Sequence, residues 1–269
     1  VDLYVVRRPA LHPAALAPFK LPSYLLSVEA DAKTEKGTAS GWITGILYLA
    51  PGQLAGVGNL CPHASAGCLA ACLFTAGRAG IFETVNAARV MRTRFLHDNR
   101  AAFLAMLRGE IAGLIRQAKR RGLRPAVRLN GTSDLPWEKL APDLFADFPR
   151  VRFYDYCKGL RRAVAYAKGE LPRNYHLTFS LSETNATAAG IALAAGVNVA
   201  AVADGIKPGD PFPLAGQSFR TFDADRHDLR FLDRRGADGR GRIGLLKAKG
   251  QARKDQTGFV LRFNQTAAA

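Results

Sequence analysis

The sequence predicts an α/β protein built as a partial (β/α) barrel, with a three-cysteine loop after an early strand and an irregular, basic C-terminal extension. Between residues 126 and 202, apolar runs of strand length start 25, 25 and 21 residues apart, with segments of helical spacing between them. This alternation is typical of a parallel sheet covered by helices. Right-handed crossovers then leave an open sheet or a full or partial barrel.

Each element has its own signal in the sequence. Apolar runs at 23–29 and 42–49 have strand length, and the second leads into the cysteines. Apolar residues recur at helical spacing over 81–99 and 100–121, which predicts two long helices. The later strands are expected at 126–129, 151–154, 176–179 and 197–202, with helices at 136–145, 160–168 and 185–195 between them.

The last quarter of the chain differs in composition from the rest. From residue 204 onward proline, glycine and charged residues are frequent, so we expect only short strands, at 243–246 and 258–263. The chain therefore divides into an irregular N-terminal segment (1–41), a barrel-like core that holds the metal loop (42–204) and a basic extension packed on that core (205–269).

Three of the four cysteines lie within twelve residues. Three thiolates are the ligands of an iron–sulfur cluster that keeps one iron open, so we predict a 4Fe-4S cluster on Cys61, Cys68 and Cys72. Because the loop follows a strand, it should lie at the carboxyl ends of the parallel strands, where ligands bind in such folds. Pro62 and Gly67 suit a loop that wraps a cluster.

Three other interpretations of the cysteines remain open. Zinc could be bound by the three thiolates with His63 as fourth ligand. The thiols could also be free and buried without a metal. Cys157 follows a later strand and is either a distant fourth ligand or a solitary buried cysteine.

Polar residues follow the later strands as well. Those that would orient a cofactor or substrate are the predicted catalytic residues, and three serines are predicted to bind the cofactor. For Ser133, Asp134 and Ser182, capping of the following helix explains the residue equally well. The catalytic set is Asn130, Asp134, Asp155, Lys158 and Glu183, and the cofactor set is Ser133, Ser180 and Ser182.

The charge balance predicts a polyanionic partner. The chain has 38 Lys and Arg against 22 Asp and Glu and an isoelectric point of about 10.2. Much of the excess lies in 108–124 and 226–254, which indicates nucleic-acid binding, with a solvated basic surface as the alternative. No apolar run is long enough for a membrane span, and the start does not read as a signal peptide, so we expect a cytoplasmic protein without a membrane partner.

An acidic cluster near the end offers another chemistry. Asp223, Asp225 and Asp228 with Lys249 could hold a divalent metal for phosphodiester cleavage, which would make the protein a nuclease. A salt-bridged turn region is the alternative.

The sequence resembles the gene product 88 family of phages and plasmids. The resemblance begins at Asn59-Leu60-Cys61-Pro62, which opens the three-cysteine loop. It implies the biology of a mobile element and brings no established activity. The family usually has threonine at the position of Cys157, which implies that this cysteine is not an obligatory ligand. Further matching blocks are 88–93, 127–134, 153–158, 177–180, 225–233 and 246–250.

More distantly, the layout resembles radical S-adenosylmethionine enzymes, in which three thiolates hold a 4Fe-4S cluster and S-adenosylmethionine binds the fourth iron. The spacing here is C-x6-C-x3-C, whereas that superfamily usually has C-x3-C-x2-C. We therefore expect an iron–sulfur protein of a mobile element that binds or modifies nucleic acid. The alternative is a non-catalytic nucleic-acid-binding protein with a structural metal.

Overall fold

One open, ten-stranded sheet organises the computed structural model, which describes residues 15, 21–29 and 37–263. The strand order is β1-β2-β3-β4-β5-β6-β9-β8-β7, and β10 pairs with the end of β6. Most of the predicted N-terminal segment lies outside the described residues. The strands are β1 (Leu26–Val28), β2 (Trp42–Leu47), β3 (Arg124–Arg128), β4 (Arg152–Cys157), β5 (Tyr175–Ser180), β6 (Val199–Asp204), β7 (Pro211–Leu214), β8 (Gln217–Asp223), β9 (Ile243–Leu246) and β10 (Leu261–Arg262).

Parallel pairing dominates the sheet. Strands β2 to β6 lie side by side in chain order, and β9 and β8 extend the parallel run. The two ends of the sheet, β1 and β7, are antiparallel to their neighbours. They are not paired with each other, so the α/β class is confirmed and closure into a barrel is not.

Seven helices accompany the strands in the described part of the chain. The expected pair of long helices is present, and Asn99 caps the second through a hydrogen bond from the Ala102 N–H. The helix expected at 136–145 is instead two short ones, because Pro142 has no N–H to continue the ladder. The helices are α1 (Ala66–Ala70), α2 (Glu83–Asp98), α3 (Arg100–Arg120), α4 (Trp137–Leu140), α5 (Asp143–Asp147), α6 (Leu160–Ala167) and α7 (Ala186–Ala194).

Alternate residues of each strand point to opposite faces of the sheet. On one face Val127 and Phe153 join the main core with Phe103 of α3. On the other face Tyr154, the neighbour of Phe153, belongs to a separate cluster with Leu229. Helices therefore cover one face, because successive right-handed crossovers to the adjacent strand place them on the same side.

The second face is covered by residues 228–233, which we call the inner segment. Asp228 lies 3.1 Å from the Arg128 guanidinium, and Tyr154 donates a hydrogen bond to the same carboxylate. Arg230, which is 1% exposed, pairs with Asp233 at 3.2 Å. Charges of the inner segment are thus paired inside the protein, as burial requires.

The C-terminal part, residues 205–263, contributes strands to the main sheet in addition to packing on it. The strand expected at 243–246 is present as β9, and it lies between β6 and β8 within the main sheet. The strand expected at 258–263 is reduced to β10. The hairpin β7–β8 was not predicted, because Pro211 and Pro213 argue against a strand except at an edge, which is where β7 lies.

None of the helices within the described residues combines the length and the apolar character needed to cross a bilayer.

Candidate metal centre

The cysteine loop, residues 59–72, lies across the carboxyl ends of β3, β4 and β5. Its first cysteine, Cys61, has its sulfur 3.9 Å from the Thr132 carbonyl oxygen, and the Asp134 N–H donates to the Leu60 carbonyl at 2.8 Å. The ring of His63 reaches the chain beyond β4, since a Cβ on Gly159 would lie 3.1 Å from its Nε2. The loop therefore occupies the rim of the sheet where parallel folds bind ligands.

Glu183, just beyond β5, anchors the middle of this loop. Its carboxylate accepts hydrogen bonds from the Ser65 hydroxyl and from the Gly67 N–H, each at 2.7 Å. The Ser65 oxygen in turn accepts the Cys68 N–H at 3.2 Å and caps α1. Glu183 was predicted to be catalytic, and the structure places it as a support for the segment that carries two of the cysteines.

Gly67 is required by close packing at this anchor. A Cβ there would lie 2.2 Å from the Thr257 hydroxyl oxygen and 2.6 Å from the Glu183 carboxylate. Both are below any ordinary contact, so a larger residue would push the loop away from β5. The C-terminal segment thereby contributes Thr257 to the support of the cysteine loop.

The three thiols lie close enough to influence one another. The pKa of Cys61 is raised to about 12, mainly by burial and to a smaller extent by the neighbouring Cys72, Asp134 and Cys68. Burial also raises the pKa of Cys72, with a smaller contribution from Cys68. Protonated, buried thiols become thiolates when a metal cation replaces their protons.

The spacing of the donor atoms is informative about the group they could hold. Among the residues described, no three Cys, His, Asp or Glu side chains are close enough to share a single ion. A zinc ion needs such an arrangement, because each sulfur lies about 2.3 Å from it. A 4Fe-4S cluster takes one thiolate on each of three irons, and Cys61, Cys68 and Cys72 supply three free thiols of that type.

Cys157 is not part of this group. It ends β4 in the main core, is 1% exposed and has its pKa raised to about 12 by burial. This position corresponds to a solitary buried cysteine.

Lys158 brings a positive charge to the rim. Its ammonium donates to the Ser180 hydroxyl at 2.7 Å and lies 6.0 Å from the centre of the Phe259 ring. It also lowers the pKa of Cys72, as does Arg89 on α2. Arg89 was missed in the sequence, because an arginine within a helix usually marks a solvent-facing side.

Asn130 and Asp155 are joined beneath the loop. The Asp155 carboxylate is fully buried and accepts hydrogen bonds from the Asn130 N–H (2.6 Å), the Asn130 side-chain amide (3.2 Å) and the Tyr175 hydroxyl (2.7 Å). The side-chain oxygen of Asn130, Oδ1, accepts hydrogen bonds from the Ser133 hydroxyl, from the Leu135 N–H and from the indole N–H of Trp137. This network connects β3, β4 and β5 within the protein.

Asp134 belongs to a second buried network. One of its oxygens accepts the Lys158 N–H at 3.0 Å, and the other pairs with Arg162 at 2.9 Å. Arg162 also pairs with Glu138 at 2.8 Å and donates to Tyr175. No local sequence signal marks Arg162 or Glu138, because their partners are distant in the chain.

The predicted cofactor-binding serines have different environments. Ser133 donates to Asn130 and Ser180 accepts from Lys158, whereas the Ser182 hydroxyl is buried with no hydrogen-bond partner among the described residues. Helix capping does not account for Ser133, Asp134 or Ser182, since α4 begins after Pro136 and α7 after Asn185.

The acidic cluster proposed for a nuclease is divided. Asp228 lies in the inner segment against Arg128, while Asp223 and Asp225 line a cleft. Asp225 pairs with Lys249 at 3.2 Å. Asp225 and Asp228 thus form ion pairs, as expected for the alternative interpretation of this acidic cluster as a salt-bridged turn region.

That cleft has a volume of about 630 Å³ and opens at the carboxyl ends of β6, β8 and β9, on the same rim as the cysteine loop. Lys247, Lys249 and Arg253 are among its lining residues. The segment that follows lies against the cysteine loop, because Ala252 packs on Ala71. One short stretch of chain thus separates the cleft from the cysteines.

Comparison with known protein families matches residues 24–262 to Gene product 88. The chain matches no curated protein and no solved structure.

The anchoring role of Glu183 can be tested by thiol reactivity. In reduced, metal-free protein we expect Glu183→Ala to raise the iodoacetamide alkylation rates of Cys68 and Cys72 severalfold, because α1 loses its tie to β5. Peptide mass spectrometry follows each cysteine. Glu183→Gln, which keeps one acceptor oxygen, should give a smaller increase, and the exposed Glu170→Ala should give none. Unchanged rates in Glu183→Ala would contradict the role.

The buried Asp155 should make stability depend on pH. Burial raises the pKa of Asp155 to about 7, above the value near 4 of an unfolded chain. Its contribution to the free energy of unfolding is therefore fully present below about pH 4 and is lost as the pH rises through about 7.

Urea unfolding of metal-free protein between pH 4 and 8 measures this effect. Relative to Asp155→Asn, the wild-type free energy of unfolding should fall by on the order of 1–4 kcal/mol across that range. Asp147→Asn, at an exposed carboxylate, is the control. Parallel curves for wild type and Asp155→Asn would show that Asp155 titrates normally.

Proposed function

The chain belongs to the gene product 88 family, and on this premise we propose that it is an iron–sulfur protein of a phage or plasmid that binds or modifies nucleic acid. In this proposal the cluster is held by Cys61, Cys68 and Cys72 at the rim of the sheet. A cluster with three protein ligands supplies one open iron, which can take S-adenosylmethionine or a substrate heteroatom.

The observation that carries the proposal is the gathering of three thiols on a supported loop. The loop is fastened to β3 through Leu60 and to β5 through Glu183. Buried cysteines are common in protein cores but seldom cluster in this way, and three thiolates are the protein ligands that a cluster with one open iron takes.

The nucleic-acid part of the proposal is supported by the cleft beside the loop. Lys247, Lys249 and Arg253 are exposed and line it, which suits contacts to phosphate oxygens. The other exposed basic group, Arg116 and Lys119 near the end of α3, lies at the opposite end of the strands, because α3 leads into the start of β3. Of these two exposed groups, the cleft residues are the ones on the rim that carries the cysteine loop.

A second candidate is a non-catalytic nucleic-acid-binding protein with a structural metal. It is favoured by the carboxylates of Asp134, Asp155 and Glu183, all of which have hydrogen-bond partners within the protein. Of the predicted catalytic side chains, Lys158 lowers the pKa of Cys72 and Asp134 raises the pKa of Cys61.

Metal analysis tests the cluster. Purified anaerobically, the protein should be brown, absorb broadly near 400 nm and contain about four irons with matching sulfide per chain. Replacing all three loop cysteines by alanine should remove the absorption near 400 nm and the bound iron and sulfide. The Cys157→Ala variant should keep the absorption, the iron and the sulfide. A colourless protein with one zinc would contradict the cluster and favour the structural-metal candidate.

Binding of labelled oligonucleotides tests the cleft. In fluorescence anisotropy we expect the double variant Lys247→Gln/Arg253→Gln to bind single strands or duplex at least tenfold more weakly at about 0.1 M salt and to lower the salt slope by about two. Arg116→Gln/Lys119→Gln removes the same charge at the other end of the strands and should have little effect. Equal losses in both would contradict binding at the cleft.

A further inference from the structure

Arg89 is a buried cation without an anionic partner among the described residues. It is 6% exposed, and its guanidinium lies 5.0 Å from the ring centre of Tyr48 and 5.5 Å from that of Phe74. Its one hydrogen bond to a described residue goes to the Asn86 side chain at 3.4 Å, and its Nε has none. A buried charge in this state costs several kcal/mol unless something neutralises it.

Other buried arginines show what is missing at Arg89. Arg128 and Arg162 each pair with a carboxylate. Arg92, three residues along α2 and 5% exposed, donates to the Tyr24 carbonyl at 2.9 Å. Arg89 differs from these three arginines because its guanidinium has neither a carboxylate nor a backbone carbonyl as partner among the described residues; an unpartnered Nε it shares with Arg128.

Lys158, directly after β4, is a second cation near the cysteine loop, and it is partly buried. Its ammonium bonds to the Ser180 hydroxyl, and no described carboxylate pairs with it. The nearest candidates are already engaged, since Asp134 pairs with Arg162 and Glu183 holds Ser65 and Gly67.

Both cations are close to the cysteine loop. The Phe74 ring that Arg89 contacts belongs to the residue whose N–H donates to the Cys72 sulfur at 3.5 Å, and Lys158 precedes Gly159, which meets the His63 ring of the loop. Both also lower the pKa of Cys72.

The charge of a metal group on the three cysteines would complete this arrangement. Three thiolates exceed the positive charge of a 4Fe-4S core in its oxidised form or of a zinc ion, so either group is anionic. We propose that the buried Arg89 and the partly buried Lys158 are the counter-charges of an anionic metal–thiolate group on Cys61, Cys68 and Cys72. Arg89 acts here as a positioning residue, and the inference rests on the proposed function for the identity of the group.

The reduction potential of the cluster gives a direct test. Reduction adds negative charge, so a nearby cation favours the reduced form. In the full-length protein loaded with its cluster, Arg89→Gln should lower the equilibrium constant for one-electron reduction about tenfold. The reduction potential of the cluster then becomes about 59 mV more negative. Redox titration followed by electron paramagnetic resonance measures the shift. Arg89→Lys should restore most of it, which a purely structural role would not do.

Matched variants separate charge from packing. Arg92→Gln removes a buried arginine from the same helix and should leave the potential unchanged, while Lys158→Gln should lower it independently of Arg89. A full iron content with unchanged potential in both Arg89→Gln and Lys158→Gln would overturn the inference and leave the cluster standing.

A zinc-loaded wild-type protein would refute the proposed cluster and still test the counter-charges. In that case Arg89→Gln should lose zinc to a chelator at least tenfold more readily than Arg92→Gln, and equal loss would overturn the inference. A wild-type protein that binds neither iron nor zinc would contradict both proposals.

Discussion

The carboxylate of Glu183 determines where the cysteine loop lies. It lies three residues beyond β5 and accepts two hydrogen bonds from Ser65 and Gly67, which lie just before Cys68 in the loop. Gly67 allows the approach because it has no Cβ, and Thr257 closes the contact from the C-terminal side. Glu183 follows β5, the fourth strand of a parallel run, so its position is fixed by the sheet. Its hydrogen bonds then fix the position of the loop that carries the thiols.

Beneath the loop, two buried networks hold the strand ends together. The first joins Asn130, Asp155 and Tyr175, and the second joins Asp134 to Arg162. Satisfied buried networks are rigid, because breaking one bond exposes the full cost of desolvating its partner. The rim is thus a fixed frame whose carboxylates have hydrogen-bond partners within the protein. Arg89 and Lys158 have no carboxylate partner among the described residues, and the proposed anionic group would balance their charge.

Local patterns predicted the elements whose signals are local. The long helices α2 and α3 and the strand β9 appear within one or two residues of their expected bounds. Clustering of the cysteines was also predictable, since twelve residues cannot carry them far apart. The partners of Glu183 and Arg162 were not, because they are 20 to 120 residues away in the chain and no spacing rule relates them. The burial of Arg89 depends on Tyr48, which belongs to another element.

The C-terminal segment connects the two halves of the rim. Ala252 and Val260 pack on Ala71, next to Cys72, while Lys249 and Arg253 line the cleft. At Gly250 the chain has a φ of +55° and passes so close to Ala76 that a Cβ would lie 3.0 Å from its backbone. In the proposed function, a polyanion bound in the cleft contacts the segment that packs on Ala71, next to Cys72. Because this segment is short, we expect occupancy of the cleft to alter the surroundings of Cys72 as well.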